Sequence, residues 1–274
     1  MPRSRPSPIG DGRTLRVGVI GRGAIGGVIA DRLAAGEIDG ASLAGVLRLR
    51  ATGSDEVTSL GDLLDRGCDL VVEAAGHGAL QRYAVDVLES GADLVVLSAG
   101  VLADKETERA VRAAGPGRLL ISTGAIGGLD ILRALVRTGE LEAVSIRTTT
   151  TPAALAGVAG AGELIALVGD GAQPMTVFSG SAREMALRFP TLSNVAATLA
   201  LATLGLDSVE AAMRLDPTGR SKRHELTAAS AGGGRVHIEI ENVISTSNST
   251  TSAVTPFAVL RMLADRMQPF TAGV

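Results

Sequence analysis

Three histidines, two lysines and one spaced set of glycines are the residues of this chain best suited to holding an anion or moving a proton. The glycines stand as Gly21-x-Gly23-x-x-Gly26. They follow the apolar, β-branched run Arg16–Ile20 and precede a helical pattern carried by Ile25, Val28, Ile29 and Leu33. Strand, glycine turn and helix in that order predict a dinucleotide-binding loop. Gly21 permits the tight turn, Gly23 lets a pyrophosphate approach the backbone, and Gly26 lets the helix pack on the strand. The free N–H groups and positive end of the helix then hold the anion. Gly21, Gly23, Ala24, Ile25 and Gly26 are therefore assigned to the cofactor.

A dehydrogenase built on such a loop needs a proton acceptor, and histidine suits that role near neutral pH. His77 lies in Glu73-Ala74-Ala75-Gly76-His77-Gly78, where it either touches the nicotinamide side or caps a helix. His224 lies in the polar segment Asp216–Glu225, read as a loop between two strands; it is either a substrate-site group or a surface histidine. His237 falls on the polar face of an alternating strand and is read as solvated. Of the lysines, Lys105 and Lys222, only Lys222 stands near other polar candidates.

The elements that must position these groups alternate through the first half. Strands are expected at Leu15–Ile20, Ser42–Leu49, Leu70–Val72, Leu94–Leu97 and Arg118–Ile121, with helices at Ala24–Ala35, Ala79–Glu89 and Lys105–Ala114. Short apolar strands alternating with helices imply a parallel, doubly wound Rossmann-type sheet buried on both faces. Ligands lie at the carboxyl ends of such strands. Small residues there, including Ala75, Gly76, Ala99, Gly100 and the run Gly124–Gly128, leave room for an extended cofactor. After Gly128 a helix at Leu129–Arg137, a strand at Glu142–Thr151, a helix at Thr191–Leu204 and strands at Ser208–Leu215, Glu225–Ser230 and Arg235–Val243 predict a second α+β domain with an open mixed sheet. Residues 153–172 resist assignment, 245–255 read as a loop, and Phe257–Met267 as a closing helix. The expected division is a flexible tail over 1–14, a dinucleotide domain over 15–124 joined by 252–274, and a substrate and dimerisation domain over 125–251.

The second strand ends in Val46-Leu47-Arg48-Leu49-Arg50, with no carboxylate for a ribose diol. Arg48 or Arg50 could pair with a 2′-phosphate, which favours NADP or dual use over strict NAD; ordinary solvated charge is the alternative.

Other classes lack their residues. A net charge of −3 gives no case for nucleic acid. One cysteine, Cys68, excludes a disulfide framework, and the scattered histidines a zinc motif. No apolar run approaches a membrane span, and the basic N-terminus has no apolar region after it, so a cytoplasmic protein is expected. There is no Gly-x-Ser-x-Gly elbow and no P-loop, and Tyr83 has no lysine four residues on.

The blocks Gly21–Gly26, Glu73–His77, Ser98-Ala99-Gly100-Val101-Leu102-Ala103-Asp104, Gly124-Ala125-Ile126-Gly127-Gly128-Leu129-Asp130, Asn194-Val195-Ala196-Ala197-Thr198-Leu199 and Asp216-Pro217 with His224-Glu225 together resemble the L-aspartate dehydrogenase family. That resemblance implies oxidative deamination of L-aspartate with NAD or NADP, through iminosuccinate to oxaloacetate and ammonia. It implies that Ala125 and Asn194 contact the cofactor near the nicotinamide, that His224 is the catalytic histidine, and that the chain forms a homodimer or larger homo-oligomer. Two places depart from the family pattern: Thr150 and Thr151 stand where basic residues are usual, and Lys222 where Asn is usual. Lys222, Arg223 or Arg220 could restore the missing charge, and Thr149, Lys222 and Arg223 are assigned to the substrate. The alternatives are a reductase or dehydrogenase of a related amino or imino acid, and a non-catalytic dinucleotide sensor.

Overall fold

The computed structural model describes residues 13–155, 158, 161–168, 173–219, 221–242, 244–245 and 248–271. Most of the expected tail and Arg220 lie outside the described residues. The chain divides into two compact units, one running to Gly124 and resuming at Thr255, the other Ala125–Val254.

The first unit contains β1 (Leu15–Ile20), α1 (Gly26–Ala34), β2 (Ala41–Leu47), β3 (Glu56–Val57), α2 (Leu60–Asp65), β4 (Leu70–Glu73), α3 (His77–Glu89), β5 (Asp93–Val96), α4 (Lys105–Ala113) and β6 (Leu119–Ile121). The strands pair in parallel in the order β3-β2-β1-β4-β5-β6. The order reverses between β1 and β4, and that switch point is where a doubly wound sheet receives its ligand. The strands are apolar without alternation because helices cover both faces. Val17, Val19, Val46, Val72 and Val95 pack with Ile29 and Leu33 of α1 and with Val259, Leu260 and Leu263 of the C-terminal helix, Thr255–Met267. β3 and α2 escape the sequence pattern because one is two residues long and the other six. The Oγ of Ser59 caps α2, accepting from Asp62 N at 3.1 Å.

The second unit contains α5 (Leu129–Thr138), β7 (Leu141–Thr150), α6 (Ala161–Val168), β8 (Met175–Ser181), α7 (Ala182–Arg188), α8 (Asn194–Ala202), β9 (Glu210–Leu215), β10 (Lys222–Ser230), β11 (Arg235–Asn242), β12 (Ile244–Ser245) and β13 (Asn248–Ser252). Its five-stranded sheet runs β11-β10-β7-β9-β8, with β7 parallel to β9 and the other pairs antiparallel. Two expectations are corrected. The segment read as a polar loop up to Glu225 becomes strand from Lys222, because β10 pairs on both sides, with β7 and with β11. The expected loop after residue 245 holds the small antiparallel pair β12–β13. Along β10, Lys222, His224, Leu226 and Ala228 are buried while Arg223, Glu225 and Thr227 face the other way. α5 and α8 pack against β7, whose Val144, Ile146 and Thr148 share the buried face.

Candidate active site

The glycine loop is shaped by what a side chain would strike. Gly21 has φ +94°, and its N–H donates to Leu47 O at 2.9 Å. A Cβ on Gly26 would lie 2.1 Å from Gly21 O, so helix and turn touch through bare backbone. A Cβ on Gly23 would meet nothing within 4 Å. Crowding at Gly21 and Gly26 with open space at Gly23 fits a pyrophosphate over the first turn of α1. Ala24 and Ile25 lead directly into that helix, Ile25 at its cap position.

At the end of β4, Glu73 is fully buried. Its Oε1 accepts from Ala75 N at 2.9 Å, Gly76 N at 2.7 Å and Ser98 Oγ at 3.1 Å, and its Oε2 from Ser98 N at 3.1 Å. Burial pushes this carboxyl up from its usual range, and the four donors oppose that shift. One side chain thus ties together the loops after β4 and β5, the candidate nicotinamide end of the unit. Gly76 takes the cap position of α3 at φ +96°, so His77 opens the helix and does not cap it. Ala75 is exposed beside this turn, whereas Ala99 and Gly100 are buried in a 3₁₀ turn, Ala99–Ala103.

Arg48 is not a free surface charge. Its Nη1 donates to Glu56 Oε1 at 2.7 Å. Arg22, inside the glycine loop, pairs with Asp55 and Asp31, each at 2.6 Å. Arg50 is exposed, and Leu49 between the two arginines is 96% exposed.

In the second unit, His224 is fully buried, and its Nδ1 lies 3.0 Å from Thr148 Oγ1 on the paired strand. Its Nε2 has no hydrogen-bond partner, and neither has Thr150 Oγ1. Burial, then the charge of Lys222, pushes the imidazole down to about 3. Burial likewise pushes the Lys222 ammonium down to about 8. Asn242, opposite Lys222 on β11, donates from Nδ2 to Ala125 O at 2.9 Å. The pleat therefore gathers Lys222, His224, Thr148, Thr150 and Asn242 on one face. Thr149 and Arg223 pair with each other in register on the opposite face, and Arg223 reaches Glu239 at 3.4 Å. The structure does not bring them to His224, because a one-residue step along a strand reverses the face. His237 is exposed. Asn194 opens α8. Glu56, Glu73, Thr148 and Asn242 were missed as site residues, although Glu73 and Thr148 stand in runs that the sequence marks. Among the described residues no three His, Cys, Asp or Glu side chains gather as a metal site, and no helix is long and apolar enough to cross a membrane.

Residues 130–266 match the family described as aspartate dehydrogenase, C-terminal, and residues 21–116 that described as homoserine dehydrogenase, NAD binding domain. The L-aspartate dehydrogenase of Methanocaldococcus jannaschii is 33% identical over 94% of this chain and 99% of its own. The chain belongs to the L-aspartate dehydrogenase family. L-aspartate dehydrogenase 2 of Bordetella pertussis is 36% identical over 54% of each chain. The fold is that of aspartate dehydrogenase from Thermotoga maritima, with a TM-score of 0.72 at 23% identity, covering 95% of this chain and 100% of that one. Family membership brings a nicotinamide dinucleotide as cofactor, and the glycine loop offers the matching cradle. Lys222 and Thr150, whose hydroxyl has no hydrogen-bond partner, share the face of His224.

Proposed function

We propose that this chain oxidatively deaminates L-aspartate with NAD or NADP, giving iminosuccinate and then oxaloacetate and ammonia, and that it runs the reverse amination when ammonia is abundant. The observation that carries the reading is a buried histidine with one ring nitrogen fixed by Thr148 and the other unpartnered, beside a buried lysine, in a chain of this family. When bound, the nicotinamide supplies the acceptor for the substrate's Cα hydride. His224, held neutral by burial, accepts through Nε2 from the water that adds to the imine carbon and orients it for attack, and a proton of that water passes to the departing amine. Thr148 holds the ring in orientation through Nδ1. Lys222 pairs its ammonium with a substrate carboxylate, standing in for the basic residues that Thr150 and Thr151 replace. The hydroxyl of Thr150 adds a donor to the same group. The family resemblance assigns Ala125, whose carbonyl accepts from Asn242, and Asn194 to the nicotinamide end of the cofactor.

Both dinucleotides fit the reading, because Arg48 is available to a 2′-phosphate but already carries a carboxylate partner. A cytoplasmic homodimer assembled through the second unit is the form we propose, and sedimentation equilibrium tests it. Turnover tests the activity. With L-aspartate and either dinucleotide at alkaline pH, reduced nicotinamide should accumulate, and His224→Ala should lower kcat by ~10²–10⁴, the range for a positioned acid–base group. The same variant should still bind dinucleotide. Turnover of other amino acids with aspartate idle would move the substrate; binding with no turnover across an amino-acid panel would make the chain a sensor.

A further inference from the structure

The end of β2 is locked to its surroundings by backbone. Gly21 N donates to Leu47 O at 2.9 Å, and Arg48 N donates to Val57 O at 2.9 Å. Arg48 therefore sits between the glycine loop and β3, where a doubly wound sheet presents residues to the adenosine ribose. Glu56, with its side chain only 3% exposed, uses both oxygens. Oε1 accepts from Arg48 Nη1 at 2.7 Å and lies 3.6 Å from Arg22 Nη1. Oε2 accepts from Thr52 N at 2.6 Å and Thr52 Oγ1 at 3.0 Å. Asp55 takes the same Arg22 Nη1 at 2.6 Å, and Asp31 takes Nη2. The segment bearing Asp55 and Glu56 is itself fastened. Arg66 donates to Asp55 O at 3.0 Å, Ser54 O at 3.2 Å and Ala44 O at 3.2 Å. Two guanidiniums thus face three carboxylates on a rigid frame. The Arg48 hydrogen bond, followed by that from Thr52 N, holds the Glu56 carboxyl down at about 2, so it stays ionised through the neutral range.

We infer that Asp55 and Glu56 set the cofactor selectivity of this chain, by neutralising Arg22 and Arg48 so that a 2′-phosphate gains little there over a 2′-hydroxyl. The inference rests on the dinucleotide site proposed above. An incoming phosphate must either draw the arginines from fixed partners or sit close to fixed negative charge. A 2′-hydroxyl meets neither cost. Removing one carboxylate charge leaves both arginines in place and takes the cluster from one surplus negative charge to balance, so less negative charge faces an incoming phosphate.

Titration calorimetry of the full chain with NAD+ and with NADP+ gives the ratio of the two dissociation constants. Glu56→Gln should shift that ratio towards NADP+ by about tenfold, the order expected for one charge beside a phosphate at a partly screened site. Asp55 is more exposed, so Asp55→Asn disturbs less of the packed structure than Glu56→Gln, and it should shift the ratio the same way. Adding Arg48→Ala to Glu56→Gln should erase the gain, since the two residues act as one pair. A ratio that stays put in both carboxylate variants overturns the inference. So does a ratio that falls, which would mean that the carboxylates aim the arginines at phosphate. If the unsubstituted chain binds neither dinucleotide, the cofactor reading itself fails; if it binds both and only the ratio refuses to move, the inference fails alone.

Discussion

His224 and Lys222 lie two residues apart on the buried face of β10, so one desolvation acts on both. Burial disfavours the charged form of each base. The outcomes differ because their starting points differ: the imidazole falls to about 3 and is neutral at any working pH, whereas the ammonium falls to about 8 and is still charged at neutrality. On the same face the flanking strands contribute Thr148, Thr150, Ile240 and Asn242, none of them a carboxylate. For kcat/KM with aspartate this predicts no acid limb near pH 6.5, because His224 is already deprotonated there, and an alkaline fall near pH 8 as Lys222 loses its charge. Lys222→Met should abolish the alkaline limb and raise KM. It should also change stability with a defined sign. A folded-state value below the ordinary 10.5 means stability is fully present above pH 10.5 and lost as pH falls through about 8. At neutrality the methionine variant escapes that loss, on the order of 3 kcal/mol for a shift of this size. Urea titrations at pH 7 and 10.5 measure it. The residue types were legible in the sequence. Their shared face was not, because buried polar residues at alternate positions read as a charged loop.

At the scale of the element, the glycine turn was the most readable part of the chain, because each glycine has its own steric reason. The reasons predict opposite experiments. Gly26→Ala forces a Cβ to 2.1 Å from a backbone oxygen, so α1 must shift and the first unit should lose stability. Gly23→Ala meets no neighbour and has no left-handed backbone to strain, so thermal unfolding should barely move. Its dissociation constant for dinucleotide should still rise by about tenfold or more, since the methyl enters the space that the pyrophosphate needs. An alanine at 23 that binds as tightly as glycine would remove the pyrophosphate from this turn. Other elements hid for physical reasons. β8 has no clean apolar alternation, since a bulge between Thr176 and Phe178 shifts its register against β9; yet the reciprocal cap of Ser181 and Glu184 that follows it is a pattern the sequence does carry. The role of Glu73 could not be read, although its run could. A carboxylate at a strand end says nothing about the four donors that two separate loops bring to it.

At the scale of the whole molecule, the dinucleotide unit is not a continuous stretch of chain. Its sheet is complete by Ile121, but Ile29 and Leu33 of α1 pack on Val259, Leu260 and Leu263, more than 220 residues later. Arg266 then reaches Asp93 at the start of β5, at 2.8 Å. Ordering that pairing closes a long loop, and its entropy must be met by the apolar area that the helix buries. The C-terminal helix should therefore control cofactor binding without carrying any candidate cofactor residue. Leu263→Ala removes a fully buried side chain and should cost about 2–5 kcal/mol of unfolding free energy. Dinucleotide at ~100 times its dissociation constant should return about 2.7 kcal/mol of that, because it binds only the folded unit. A chain ending at Val254 keeps every residue of the glycine loop but uncovers the outer face of α1. It should bind a hydrophobic dye and fail to bind dinucleotide in the same titration. Full-strength binding by that shortened chain would show that residues 15–124 close their own core, and that the returning helix merely lies on it.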